Sequence, residues 1–396
     1  MRRVLHELDL SNKSIILRVD YNVPIHNHII IDTHRIDMTL DTIRTIIEQP
    51  IKRLYIITHL GRPGGVYKKD LDLSLIHTYV SKALQQPIHF ESGLLKKQPI
   101  ECNEKIVLLD NIRFNPEEEN TNINHPDVKA FRSYLTSLCD VYINDAFGCC
   151  HRPHSSIVGI DAPIKCPGPL IASEMHYLRN IFMASTSTSK TAIIGGSKVK
   201  DKINLLYNII PKVNNLIIGG GMAFTFLKYL DISSIGSSLF DKKGYSCVAD
   251  IIANATKHHT KLILPVDFLC NKTFSNTGSI LHTTIERGIP DDYMGLDIGH
   301  KTIENIKQVL SNSSMIIWNG PLGVFEFDNF AKGSKSIMEY MASLSSATTI
   351  IGGGDTASCC RQFNCHDKMD WVSTGGGASL TMIEGGSLPG IDFLDT

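Results

Sequence analysis

Apolar positions along this chain fall into short runs rich in β-branched residues, each closed by a glycine, an asparagine or a turn, and most followed by a helical pattern. The first half carries Ile15 to Val19, Leu54 to Thr58, Ile106 to Leu109 and Val141 to Ile143, separated by helical stretches such as Asp37 to Glu48 and Asp127 to Leu138. The second half repeats the theme at Ile193-Ile194-Gly195-Gly196, Leu216-Ile217-Ile218-Gly219-Gly220-Gly221, Leu262 to Asp267, Ile316 to Pro321, Ile350 to Thr356 and Val372 to Gly377. Runs that are apolar throughout, rather than alternating, suit strands covered on both faces. The pattern therefore predicts an α/β fold whose parallel strands end along one rim, flanked by helices.

At 396 residues the chain is long enough for two domains. Only 7 of its 30 glycines precede residue 191, so the glycine-rich rim belongs to the second half. Between the halves, Glu174 to Met183 reads as a helix, and the polar run Ala184 to Ser189 follows it. That pair reads as an interdomain connector, although a plain surface loop has the same composition.

A formal charge of -1 supplies no global field for nucleic acid or an anionic membrane, so anion recognition has to be local. Met1-Arg2-Arg3 runs into Glu7 and Asp9 with no apolar leader, and ten cysteines occur without a C-x-x-C spacing. The expectation is a cytoplasmic protein with reduced thiols.

Local cations do occur, at predicted strand ends and helix starts: Arg35, His59 and Arg62, Arg113, and Arg152 beside His151 and His154. Taken singly, each arginine also fits a surface ion pair. Together, basic segments repeated in register with strand ends favour one pocket for a small, doubly charged acid. Asp20-Tyr21-Asn22 closes the first strand and adds an acceptor and an amide for a hydroxyl of that ligand.

The second half carries phosphate chemistry without a Walker loop. Gly195-Gly196-Ser197-Lys198 leads to Lys202, and the spacing predicts both lysines on one helical face. Gly353-Gly354-Asp355-Thr356 offers backbone donors and one carboxylate, the usual protein share of a Mg²⁺ site, while a helix N-cap is the plain alternative for the Asp. Gly375-Gly376-Gly377 precedes a helix and leaves N–H groups free for a phosphoryl group, and Glu326 suits a ribose hydroxyl or simply the surface.

Taken together, these motifs resemble the phosphoglycerate kinase family, from Arg18-Val19-Asp20-Tyr21-Asn22-Val23-Pro24 through Tyr142-Ile143-Asn144-Asp145-Ala146-Phe147-Gly148 and Trp318-Asn319-Gly320-Pro321 to Leu388-Pro389-Gly390. The resemblance implies two Rossmann-like domains, each a parallel sheet flanked by helices, joined by a hinge helix. Residues 1–172 with a returning tail at 388–396 would bind 3-phosphoglycerate, 173–189 would form the connector, and 190–387 would bind the nucleotide. It implies reversible phosphoryl transfer from 1,3-bisphosphoglycerate to ADP, with Mg²⁺, in a monomer that takes no nucleic acid and no membrane. The acid would meet Asp20, Tyr21, Asn22, Arg35, His59, Leu60, Gly61, Arg62, Arg113 and Arg152. The nucleotide would meet Lys202, Gly295, Glu326, Gly353, Gly354, Asp355 and Thr356, with Asp355 nearest the metal. Arg35, Lys198, Gly376 and Gly377 would neutralise the transferring group.

Departures from the family pattern are mild: Tyr21, Asp110, Ser173 and His300 stand where other residues are frequent, and Cys149-Cys150 sits beside the basic loop. A thiol there is open to oxidation where its thiolate is favoured and exposed. A nicotinamide dehydrogenase shares the glycine-rich α/β pattern, but no G-x-G-x-x-G with a following acid occurs. A silent scaffold keeping both pockets is the other rival; Arg35, Lys198 and Asp355 are all retained, against it.

Overall fold

The computed structural model describes residues 5–183 and 189–395; of the polar run after the connector helix, residues 184–188 lie outside them. The chain divides into two compact units, Met1–His176 with Ser387–Thr396, and Tyr177–Gly386.

In the first unit the strands are β1 (Ser14–Arg18), β2 (Ile25–His26), β3 (Ile29–Ile30), β4 (Arg53–Ile57), β5 (Ile88–Glu91), β6 (Ile106–Leu109), β7 (Val141–Asn144) and β8 (Ile164–Pro167). β2 and β3 form a small hairpin, and the rest make one parallel sheet in the order β5-β6-β4-β1-β7-β8. Period-two alternation sends Ile15 and Leu17 into one core, under the helices His34–Ile47 and Ser74–Leu84. Ile16, Val107 and Tyr142 point to the opposite core, under Pro126–Ser137 with its Phe131 and Leu135. Both faces being covered explains the unbroken apolar runs of the central strands. The edge strands β5 and β8 lack such runs: Ile88-His89-Phe90-Glu91 is half exposed, and Ile164-Lys165-Cys166-Pro167 ends in a proline that only an edge tolerates. Neither was predicted.

The second unit holds β9 (Lys190–Ile194), β10 (Asn215–Ile218), β11 (Lys261–Ile263), β12 (Asp267–Asn271), β13 (Leu281–Thr284), β14 (Met294–Ile298), β15 (Met315–Asn319), β16 (Thr348–Gly352) and β17 (Trp371–Val372). Six of these form a parallel sheet, β11-β10-β9-β15-β16-β17, and the other three an antiparallel sheet, β13-β12-β14. Leu262 to Asp267, read from sequence as one strand with its turn, is split between the two sheets. Pro265, which has no N–H for a ladder, falls in the break.

Two further readings change. The helix expected from Glu174 is α-helical only over Pro169–Glu174 and continues as a π-helix over Met175–Met183. The first helix begins at His34 rather than Asp37, which brings Arg35 into its first turn. The segment from Ser387 belongs to the first unit, where the Gly390 N–H donates to the Cys150 carbonyl at 2.9 Å and Leu394 is buried.

Candidate active site: a cationic rim and a glycine rim

The strand ends of the first unit bring most of the predicted acid-binding residues together. Arg35 pairs with the Asp20 carboxylate at 2.9 Å and also donates to the Asn22 carbonyl at 3.4 Å. The Asn22 side chain accepts from the Gly61 N–H at 2.9 Å, and Arg113 donates to the Gly61 carbonyl at 2.8 Å, so three loops are tied across the rim. Arg113 also lies 3.0 Å from Glu119, an ion-pair distance at an angle unsuited to a hydrogen bond. Arg62 is exposed on the same loop as Gly61. Arg152 donates to His151 at 3.0 Å, and its charge reaches Arg113 and His154.

Two predicted residues serve differently from their neighbours. Tyr21 buries its ring and shares a 2.9 Å hydrogen bond with Thr39, while its N–H donates to the Thr58 hydroxyl and its carbonyl accepts from the Val23 N–H, both at 2.8 Å, so it shapes the loop from beneath. Leu60 is also buried, its carbonyl accepting from Asn111 at 2.6 Å.

Arg18, which sequence reasoning passed over as a strand residue, lies under this rim. It is 1% exposed, donates to Ser156 at 2.9 Å and lies 3.4 Å from His59 Nδ1. Burial opposes its charge, yet Cys149, Glu118 and Asp20 hold its pKa above the ordinary value. Burial above all drives His59 well below its usual pKa, with Arg18 and Arg113 adding to the effect against Asp20, so the imidazole is neutral at pH 7. Burial pushes the Asp20 carboxyl up, but the Arg35 and Arg18 guanidiniums outweigh it and hold it ionised.

Asp20, His59 and Cys149 bring donor atoms within 4.8 Å of one another. With the Arg18 and Arg35 guanidiniums alongside, the field there favours an anion over a metal cation. Cys149 and Cys150 are both buried, and burial pushes the Cys149 thiol up to about 12 and Cys150 well above its usual value. Both are protonated and shielded at pH 7, so neither condition for ready oxidation is met.

In the second unit, adjacent strand ends are bonded to one another: Gly195 N–H to the Asn319 carbonyl, Gly219 N–H to Ile194, Gly220 N–H to Leu322 and Ser373 N–H to Ile351. The loops approach so closely that a Cβ on Gly195 would lie 2.0 Å from the Pro321 carbonyl oxygen. On Gly220, at φ +62°, it would meet the Gly196 nitrogen at 2.7 Å. This crowding requires glycine.

Lys202 reaches into this rim, donating to the carbonyl of Asn319 at 3.2 Å and to its side-chain oxygen. Burial pulls its pKa down to about 8, against the attraction of Asp355. Lys198 does not share a helical face with it. Lys198 lies in the loop after Gly196, a 3-10 turn spans Lys200–Lys202, and the α-helix begins only at Ile203. The buried Val199 and the Asp241 carboxylate, which accepts from the Lys200 N–H at 2.8 Å, anchor the loop and delay the helix. Lys198 is left exposed.

Gly353, at φ +87°, precedes the helix Gly354–Gln362, with Gly354 and Asp355 exposed in its first turn. Thr356 is buried, and its hydroxyl accepts from the Gly320 N–H at 2.6 Å. Gly376, at φ +49°, precedes the helix Gly377–Ile383, and a Cβ built on it would meet nothing within 4 Å.

Beside these loops opens a cavity of about 480 Å³. Gly295, Glu326 and Asp355, three of the residues expected to meet the nucleotide, line it, and Phe224, Leu239, Phe268, Phe274 and Met294 supply apolar walls that no local motif announced. Gly295 is there because a Cβ would strike the Phe224 ring at 2.3 Å.

Two parallel-sheet units, one with cations gathered at its strand ends and the other with glycine loops beside an apolar-walled cavity, define the class: a two-domain α/β protein with anion-binding strand ends. The family model for phosphoglycerate kinase matches residues 5–386, and the chain belongs to the phosphoglycerate kinase family. It is 43% identical over 98% of its length to the phosphoglycerate kinase of Yarrowia lipolytica, covering 97% of that protein, and equally identical, with the same coverage, to that of Dictyostelium discoideum. The solved phosphoglycerate kinase of Coxiella burnetii superposes with a TM-score of 0.88 at 33% identity, over 99% of this chain and 98% of that one. Membership makes this chain an enzyme, a kinase of glycolysis.

Proposed function

We propose that the chain transfers a phosphoryl group reversibly from 1,3-bisphosphoglycerate to ADP, giving 3-phosphoglycerate and ATP, with the acid on the cationic rim and the nucleotide in the cavity beside the glycine rim. The observation that carries this division is the concentration of Arg18, Arg35 and Arg113 around a neutral His59 on one unit, while the apolar-walled cavity with Glu326 and Asp355 lies on the other. Arginines and the Asp20 and Asn22 oxygens suit the carboxylate, phosphate and hydroxyl of the acid. Phe224, Leu239 and Phe268 suit a base, and Glu326 a ribose hydroxyl.

Asp355 is an exposed hard-oxygen donor at the cavity wall, which fits Mg²⁺ held mainly by nucleotide phosphates. Bound there, the ion neutralises phosphate charge. The protein's own share is positioning and electrostatics. Lys202 orients the phosphate chain, Lys198 and Arg35 meet the charge on the equatorial oxygens in flight, and the N–H groups at Gly376 and Gly377 donate to the same oxygens. Acid and nucleotide sit on separate units in this reading, so transfer requires hinge closure around both, which also expels the water that would hydrolyse the acyl phosphate. The enzyme acts as a cytoplasmic monomer.

A coupled assay tests the reading directly: 3-phosphoglycerate, Mg·ATP and glyceraldehyde-3-phosphate dehydrogenase, following loss of NADH, with Lys198→Ala as control. Turnover that collapses in the control supports the kinase and its phosphoryl clamp together. A folded wild-type protein that binds both ligands and shows no turnover would return the reading to a silent scaffold.

A further inference from the structure

At the edge of the first sheet, a second set of donors converges that neither substrate uses. His89 lies on the edge strand β5, while Cys102 and Glu104 lie in the loop that leads into β6. Because Ile88 pairs with Ile106, that loop returns beside His89. One donor atom from each of the three side chains lies within 4.8 Å of the other two.

The ring of His89 is already oriented. Its Nε2 is 3.2 Å from the Glu91 carboxylate, while its Nδ1 faces Glu104 at 4.0 Å. A carboxylate on one ring nitrogen is how metal-bearing histidines are held, because it fixes the tautomer and leaves the other nitrogen with its lone pair free. Arg53 donates to the carbonyls of Ile100 and Cys102 at 3.1 and 2.7 Å and so fixes the main chain that presents the thiol. Its charge reaches Cys102 and Glu104, but this one guanidinium is outnumbered by the Glu91 and Glu104 carboxylates and the thiolate that forms on binding, unlike the two that crowd Asp20, His59 and Cys149. All three donor residues are partly exposed, giving an ion access from solvent.

We propose that His89, Cys102 and Glu104 bind one zinc-class divalent cation, with Glu91 as the carboxylate that positions His89 and water in the fourth place. A sulfur, nitrogen and oxygen set favours a borderline-soft ion over Mg²⁺ or Ca²⁺. Binding transfers the Cys102 thiol proton to solvent, so thiolate and carboxylate together balance the 2+ charge. Tetrahedral zinc bonds of roughly 2.0–2.3 Å need donors about 3.3–3.8 Å apart, so the cluster contracts on binding. Glu104, with its side chain 37% exposed, has the freedom to supply the movement. The ion would staple the edge strand to the loop before β6.

The test uses the full-length protein, reduced and chelator-treated, titrated with Zn²⁺ by calorimetry and with Co²⁺ by absorption. One ion per chain is expected, with a thiolate-to-cobalt charge-transfer band and a raised thermal midpoint. Cys102→Ser should lose the band. His89→Ala and Cys102→Ser should each weaken binding roughly a hundredfold, and Glu91→Gln by about 10- to 100-fold with the band retained. Kinase turnover without zinc should be unchanged in all three, which also shows that they fold. A band that survives in Cys102→Ser would overturn the site, as would the absence of one-to-one binding. Binding that 3-phosphoglycerate displaces would place the ion at Asp20, His59 and Cys149 and overturn it too. Unaltered affinity in Glu91→Gln would remove Glu91 from the assignment.

Discussion

Arg35 and Lys198 illustrate how little a static contact reveals about a residue's role in transfer. Arg35 rests on Asp20, and Lys198 is exposed in a loop. If both meet the phosphoryl group in flight, Arg35→Ala or Lys198→Ala should each lower kcat by roughly a hundredfold, about 3 kcal/mol, while changing ADP affinity far less. Steady-state kinetics beside ADP calorimetry separates the two effects, and near-normal kcat would remove the residue from the mechanism. Lys202 makes a prediction in pH. Its folded pKa of about 8 lies below the ordinary 10.5, so the unfolded chain binds more protons between those values. Stability should therefore gain from this group as pH rises through that window. Phosphates placed beside the lysine restore its charge, so ADP binding above pH 8 should take up a proton. Calorimetry in buffers of different ionisation enthalpy would show this uptake in the wild type and none in Lys202→Met.

Among the elements, the first unit's helix Pro169–Glu174 is held by one buried side chain. Asp145 accepts from the N–H groups of Leu170 and Ile171 at 2.8 and 3.2 Å and from the Thr42 hydroxyl at 3.0 Å, joining that helix to His34–Ile47. Asp145→Ala orphans these donors and should cost about 3 kcal/mol in urea unfolding, with Asp145→Asn, which keeps one acceptor oxygen, losing less. Burial raises the Asp145 pKa from 3.8 to about 6, so the unfolded chain gives up the proton first. The contribution of this group to stability should fall as pH rises from about 4 to about 6. On the glycine rim, Gly220→Ala adds a Cβ against the Gly196 backbone at a positive φ and should displace both loops, weakening ADP binding at least about tenfold. An affinity within twofold of wild type would show that the rim yields.

For the whole molecule, hinge closure predicts a radius of gyration by small-angle scattering that falls only when acid and nucleotide are bound together. A radius unchanged in the ternary complex would require transfer without closure. Central strands of both sheets were legible from the chain because burial on two faces demands unbroken apolar runs, and glycine loops were legible because close backbone approach admits no Cβ. The conspicuous cations and glycines of the candidate site were legible for the same kind of local reason. Arg18 was not, because an arginine at a strand end becomes a buried neighbour of His59 only once β1 lies beside β4. Nor were the cavity walls, since Phe224, Phe268 and Met294 come from separate elements and meet only through packing. The split at Pro265 and the loop position of Lys198 were decided the same way, by which neighbours a segment finds. Local pattern determined the α/β organisation around two parallel sheets, because backbone pairing and burial act along a single strand or turn. Tertiary structure alone decided which charges share an environment, because desolvation and Coulomb energy depend on distance in space rather than along the chain.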